Sequence, residues 1–172
     1  LNMQKIKLLL ALILFYIRLT SITAQAVTDT DGNRYPVITI GKQIWMAENL
    51  KTTRFNDGEA IPLVTNDNAW KIIETPAYCW LNNDIANKEV FGALYNWYTV
   101  NTKKICPIGW HVPSKTEWAY MIIFLGDENI AGAKLKEAGI GHWKNSILIS
   151  TDEFGFTALP GGLRLMEGNF PV

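Results

Sequence analysis

The segment Cys106-Pro107-Ile108-Gly109-Trp110-His111-Val112-Pro113-Ser114-Lys115-Thr116-Glu117-Trp118 constrains this chain more than any other stretch. Its second half, Ser114-x-x-Glu117 before apolar residues, is a capping box. In that arrangement the serine hydroxyl and the glutamate carboxylate each satisfy a backbone N–H that the first helical turn leaves without a partner. A helix is therefore expected to start after Ser114. Trp118, Met121, Ile122 and Leu125 follow at helical spacing, and Gly126 stands where a helix stop is favoured.

The N-terminal end carries Lys5 and Lys7 before an apolar run from Leu8 to Ile17, then Ala24-Gln25-Ala26, a small-x-small pattern. This reads as a signal peptide over residues 1–26 that directs the chain to the cell surface or beyond. A membrane span needs about 20 apolar residues, and this run is shorter and is interrupted by Arg18. No membrane span is expected after cleavage. The remaining residues 27–172 suffice for one domain with its own core.

The whole sequence has sixteen basic and sixteen acidic groups, and loss of Lys5, Lys7 and Arg18 leaves the exported part net negative. That balance argues against nucleic acid as a partner. Cys79 and Cys106 both fall in the exported part, where a disulfide is permitted, and a bridge between them would enclose residues 80–105.

Along the chain, Asp29-Thr30-Asp31-Gly32-Asn33 alternates oxygen ligands like the start of a calcium loop. Arg34 and Ile40 occupy the positions where an EF-hand needs Gly and Glu, so a turn at Asp31-Gly32 is the better reading. Tyr35–Ile40 and Gln43–Ala47 flank Gly41-Lys42 as a hairpin. Asn56-Asp57-Gly58 and Asn66-Asp67-Asn68 mark turns in a long irregular region. Phe91, Leu94, Tyr95 and Tyr98 suggest one amphipathic helix over Lys88–Val100. A third helix is expected over Asn129–Ala138, with Ala131, Leu135 and Ala138 inward, and a strand over Phe154–Leu159 before a turn at Pro160-Gly161-Gly162.

Catalytic motifs are not found. His111 and His142 lack metal-ligand spacing, so no metal site is predicted, and neither a nucleophile elbow nor a phosphate loop occurs. The candidate binding surface is Trp80 with Asn82, Asn83 and Asp84. An aromatic face beside amide and carboxylate groups suits sugar stacking, or calcium held through oxygen ligands. The competing reading of the same residues is an Asx-turn capping the next helix, with Trp80 in the core.

Trp45-Met46-Ala47-Glu48-Asn49-Leu50, Tyr78-Cys79-Trp80, Asn82-Asn83-Asp84, Tyr95-Asn96-Trp97-Tyr98, Cys106 through Trp118, and Gly155-Phe156-Thr157-Ala158-Leu159-Pro160-Gly161-Gly162 together resemble the Fibrobacter succinogenes major paralogous domain, a family of exported bacterial proteins. The segment around Trp110 is also similar to a signature of formylglycine-generating-enzyme and C-type-lectin-like folds. The resemblance implies an α+β, C-type-lectin-like domain with two to three helices, a small antiparallel sheet and long ordered loops. It further implies that this domain, residues 27–172, is truncated at its C-terminus. A cysteine beyond Val172 is then the alternative partner for Cys106, and Trp45, Trp97, Trp110 and Trp118 fall at packing positions. The formylglycine chemistry needs a reactive cysteine pair late in the chain, and the last cysteine is Cys106. The resulting expectation is an exported, non-catalytic binding or surface-interaction module, with an extracellular glycan or an envelope protein as partner. The alternative is a structural envelope protein without a small ligand, and an enzyme ranks below both.

Overall fold

The computed structural model describes residues 25–143 and 150–171; residues 1–24 of the predicted signal segment, 1–26, lie outside that range. Among the described residues, five short strands and five helices make a mixed α+β domain. β1 (Ala26–Thr28), β2 (Arg34–Ile40) and β3 (Gln43–Met46) form an antiparallel sheet in that order, and β4 (Tyr78–Trp80) pairs antiparallel with β5 (Ala93–Tyr95). The helices are α1 (Asp67–Ile72), α2 (Lys88–Phe91), α3 (Trp97–Asn101), α4 (Lys115–Leu125) and α5 (Glu128–Leu135), with two 3-10 turns at Leu81–Asn83 and Ile85–Asn87.

Both expected turns of the first sheet are present. Asp29 closes the β1–β2 turn by accepting from the backbone N–H groups of Asp31 and Asn33, from the Asn33 amide and from the Tyr35 hydroxyl at 2.6 Å. Asp29 is thus a buried structural carboxylate. Ile40 pairs with Gln43 across Gly41-Lys42, and Gly41 has the positive φ of 62° that a mirror-image hairpin turn requires. On the same face of the sheet, Ile38, Ile40 and Trp45 pack with Met121 and Leu125 of α4 and Ala131 and Leu135 of α5. A second core joins Phe55, Ile61, Tyr78, Trp80, Ile105 and Cys106.

The helix starting after Ser114 forms with its capping box complete and stops at Gly126, whose φ is 123°. Four other expectations are corrected. The helix predicted over Lys88–Val100 is divided into α2, β5 and α3. Gly92 breaks it at φ 71°, where a Cβ would stand 2.7 Å from the Leu50 carbonyl oxygen, and the Ala93 N–H donates to that same carbonyl. Asn96 then starts α3: its side-chain oxygen accepts from Thr99 and Ala77 N–H, and its amide donates to Thr75. Asn66 does not sit in a simple turn but caps α1, accepting from Ala69 N–H.

The third helix ends at Leu135, because Lys136 turns extended and bridges Ala158, which leaves Ala138 exposed. No strand forms over Phe154–Leu159. Asp152 folds that segment back by accepting from both the N–H and the hydroxyl of Thr157, itself at positive φ, so only Ala158 makes a bridge.

Candidate functional site

Trp80, Asn82, Asn83 and Asp84 are adjacent: Trp80 and Asp84 are engaged by the fold, Asn82 is exposed, and the Asn83 side-chain oxygen is buried without a hydrogen-bond partner. The Trp80 indole is only 4% exposed and meets Tyr78 edge-on at 5.1 Å. The Asn83 amide donates to Thr65, and Asp84 caps the next turn by accepting from Ala86 N–H. Asn82 and Asn83 take left-handed φ values of 54° and 56°. The Asx-turn reading describes this geometry, and the aromatic ring is not turned to solvent. Among the described residues, no cluster of three or more His, Cys, Asp or Glu side chains is placed to hold a metal ion.

The candidate Cys79–Cys106 bridge is not formed: both cysteines are buried free thiols. Side chains alternate across a strand, so Tyr78 and Trp80 point to the face where Cys106 packs while Cys79 points to the other, beside the Arg164 guanidinium. Burial pushes the Cys106 thiol up to about 11 and also raises that of Cys79, against the opposing effect of Arg164.

The residues that do converge lie elsewhere. A cleft of about 1060 Å³ opens between the two cores, bounded by β3, by β5, by the Gly109–Pro113 loop and the start of α4, and by the Phe156–Gly162 segment. Its apolar wall is Trp45, Trp110, Trp118 and Phe156. Trp45 and Trp118 lie 4.9 Å apart between ring centroids, and Phe156 stands edge-on to both, at 6.1 and 6.5 Å. Trp118 is the exposed member at 39%, whereas Trp45 is buried. Two polar atoms of residues that border the cleft are buried away from solvent without a hydrogen-bond partner, the Trp45 indole N–H and the Gln43 side-chain oxygen. The Gln43 amide nitrogen is already engaged by the Glu117 carbonyl at 3.2 Å. A donor and an acceptor buried without partners each carry a desolvation cost.

The rim is acidic. Glu48, Glu89 and Glu117 line the cleft, and all three are held by neighbours, Glu48 by Lys51 at 3.5 Å. The Ser114 backbone N–H, its hydroxyl and then His111 at 2.8 Å hold the Glu117 carboxyl down to about 2. Glu89 is lowered by the bond from Lys51 at 2.9 Å. Burial acts to lower Lys51, and its bonds and charges toward Glu89 and Glu48 outweigh it and leave its pKa raised.

Of the tryptophans expected at packing positions, Trp45 is buried, whereas the Trp97 indole is 68% exposed and Trp118 sits at the cleft mouth. The motif around Trp45 had signalled a core position only. That its indole N–H lacks a partner, and that Phe156 comes to meet it, depends on chain crossings no local pattern records.

The arrangement defines a small α+β domain with a ligand-sized, aromatic-walled cleft at the seam of two cores. Residues 38–172 match the family model of the Fibrobacter succinogenes major domain, and the chain belongs to that family. No curated protein and no solved structure matches the chain. Among the described residues, no helix is long and apolar enough to cross a membrane.

Proposed function

We propose that this chain is an exported, non-catalytic binding module on a C-type-lectin-like scaffold, and that it engages its ligand in the cleft beside β3. The observation that carries the reading is the exposed Trp118 ring on a wall it shares with Trp45, Trp110 and Phe156. Aromatic walls with a few placed polar groups are the usual composition of binding pockets. Export rests on the leader-like residues 1–26, and the scaffold on the motif resemblance around Trp110.

The non-catalytic part rests on how the rim carboxylates are used. Glu117 is fixed as a helix cap, and a carboxyl held near 2 stays ionised and cannot deliver a proton at neutral pH. Glu89 is occupied by Lys51. An extracellular glycan and an envelope protein are the two partner classes for such a surface, and the cleft replaces Trp80–Asp84 as the place to look for either.

Nile red, a neutral dye that brightens in apolar surroundings, tests the cleft directly. A single saturable site that weakens about tenfold in Trp118→Ala is the expected result. A dye signal indifferent to that substitution overturns the assignment. A glycan array run with and without calcium assigns or removes the sugar class.

A further inference from the structure

Charge narrows what the cleft can hold. Glu48, Glu89 and Glu117 line it, and among the described residues no Lys or Arg does. The matching cations stand outside the lining: Lys51 reaches Glu89 at 2.9 Å and Glu48 at 3.5 Å, and Lys88 reaches Glu89 at 3.8 Å. Two carboxylates thus meet two ammonium groups, while Glu117 meets the first turn of α4 and His111. An anionic ligand would face carboxylates with no lining Lys or Arg to receive it, and a cationic one would compete with Lys51 and Lys88 for charges already matched. The cleft therefore favours an uncharged occupant.

Hydrogen-bond capacity narrows it further. The Gln43 amide donates to the Glu117 carbonyl, the Asn49 amide to the Phe91 carbonyl, and the Tyr95 and Thr157 hydroxyls to Thr52 and Asp152. These donors are engaged within the chain. The rim carboxylates keep more to offer, since a carboxylate has about four lone-pair sites. Glu48 and Glu89 are both exposed, and among the described residues the Glu48 carboxylate is met only by Lys51, through Oε2. The capacity left on the rim is thus mainly for accepting, which suits a ligand rich in O–H donors.

The wall adds an apolar requirement. The Trp118 indole leans on Trp45 at 4.9 Å with Phe156 edge-on, so it is held from within while part of it stays open at the mouth. A ring fixed beforehand loses little freedom on binding, and its electron-rich face attracts weakly positive C–H groups. A pyranose ring meets all three conditions, being uncharged, with hydroxyls around its edge and C–H groups across one side. A lipid chain lacks the donors, and a peptide offers a single backbone donor per residue.

We infer that the cleft holds an uncharged oligosaccharide, with one pyranose ring stacked on Trp118 and hydroxyls donating to Glu48 and Glu89. A cleft of about 1060 Å³ lies at the upper end for small-molecule sites and has room for more than one ring. The carboxylates accept from the hydroxyls directly, so recognition requires no calcium. This rests on the cleft being the binding surface and names the class of ligand it takes.

Cellotetraose, maltotetraose and mannotetraose are the probes, titrated into the full chain in EDTA while tryptophan emission and Nile red displacement are followed. Tetragalacturonate and tetraglucosamine serve as charged counterparts. At least one neutral tetramer is expected to bind with a Kd of about 1 mM or tighter, and about tenfold better than either charged one. Trp118→Ala should weaken that binding about tenfold, whereas Trp118→Phe, which keeps a ring on Trp45, should stay within about threefold of the parent. Glu89→Gln keeps an acceptor and should change little, while Glu89→Leu should lose several-fold.

Nile red separates failure of the sugar class from failure of the cleft. If the dye reports the cleft and none of the three neutral tetramers displaces it, the sugar class is overturned and the cleft reading survives. Binding seen only when calcium is supplied, or tighter binding of either charged tetramer, also overturns it, because charge rather than hydroxyl donors would then be read. Absence of a dye site removes both readings.

Discussion

The guanidinium of Arg164 lies 4.5 Å over the indole of Trp70, with Phe170 at 5.2 Å from the same group. Its side chain is wholly screened from solvent and donates to the carbonyls of Val64 at 2.6 Å, Thr65 at 3.0 Å and Gly168 at 2.7 Å, and to Asp67 at 2.8 Å. One side chain therefore fastens the end of the described chain to the loop before α1.

Arg164→Ala leaves those carbonyls without a donor, and a loss of about 3 kcal/mol in urea unfolding is expected. Arg164→Lys should recover only part of it, because an ammonium cannot serve several acceptors in one plane. A loss in the alanine variant too small to resolve would count against the anchoring role.

Glu117 makes stability depend on acid. Its folded pKa, about 2, lies below its ordinary value of 4.5, so its contribution is complete above about pH 4.5 and is lost as pH falls toward 2. Urea midpoints measured across that range should fall for the parent chain and run flatter for Glu117→Gln, which keeps the shape and removes the charge. Parallel curves would show that another group carries the acid response.

Gly92 is expected to tolerate no side chain. Ala at this position meets both the left-handed φ of 71° and contacts of 2.7 Å with Asn49 and Leu50, for a cost of about 2 kcal/mol or more. Thermal unfolding of Gly92→Ala checks it, with Gly58→Ala as comparison: that glycine also has a positive φ but opens onto empty space.

The thiols should be slow toward a disulfide reagent at pH 8. Cys106 is buried with a pKa of about 11, so its thiolate fraction is small. Two thiols should titrate after denaturation without reductant. Rapid labelling of the native chain would contradict the burial of both.

Local chemistry made part of this structure legible in advance. The Ser114–Glu117 box and the Gly41-Lys42 turn were readable because each is specified within a few residues. The helix read through Phe91, Leu94, Tyr95 and Tyr98 failed for the opposite reason: the break at Gly92 is imposed by Leu50, far away in sequence. Trp80 looked like a ligand platform because a strand tryptophan beside polar residues is indistinguishable from a buried one until Tyr78 and Cys106 pack on it. The cleft was not legible, since its wall joins Trp45, the Cys106–Trp118 segment with both Trp110 and Trp118, and Phe156, and no local pattern records that these three meet. An odd polar atom on a core tryptophan has no sequence signature.

The alternation along β4 bears on the order of events wherever these thiols meet an oxidant. Once Tyr78, Cys79 and Trp80 are laid into the sheet, the two sulfurs are insulated from each other by the strand itself. A link between them is accessible only to a chain that has not yet docked this strand. Were the thiols joined before β4 docks, the link would enclose residues 80–105 and oppose the pleat that turns Cys79 away from Cys106.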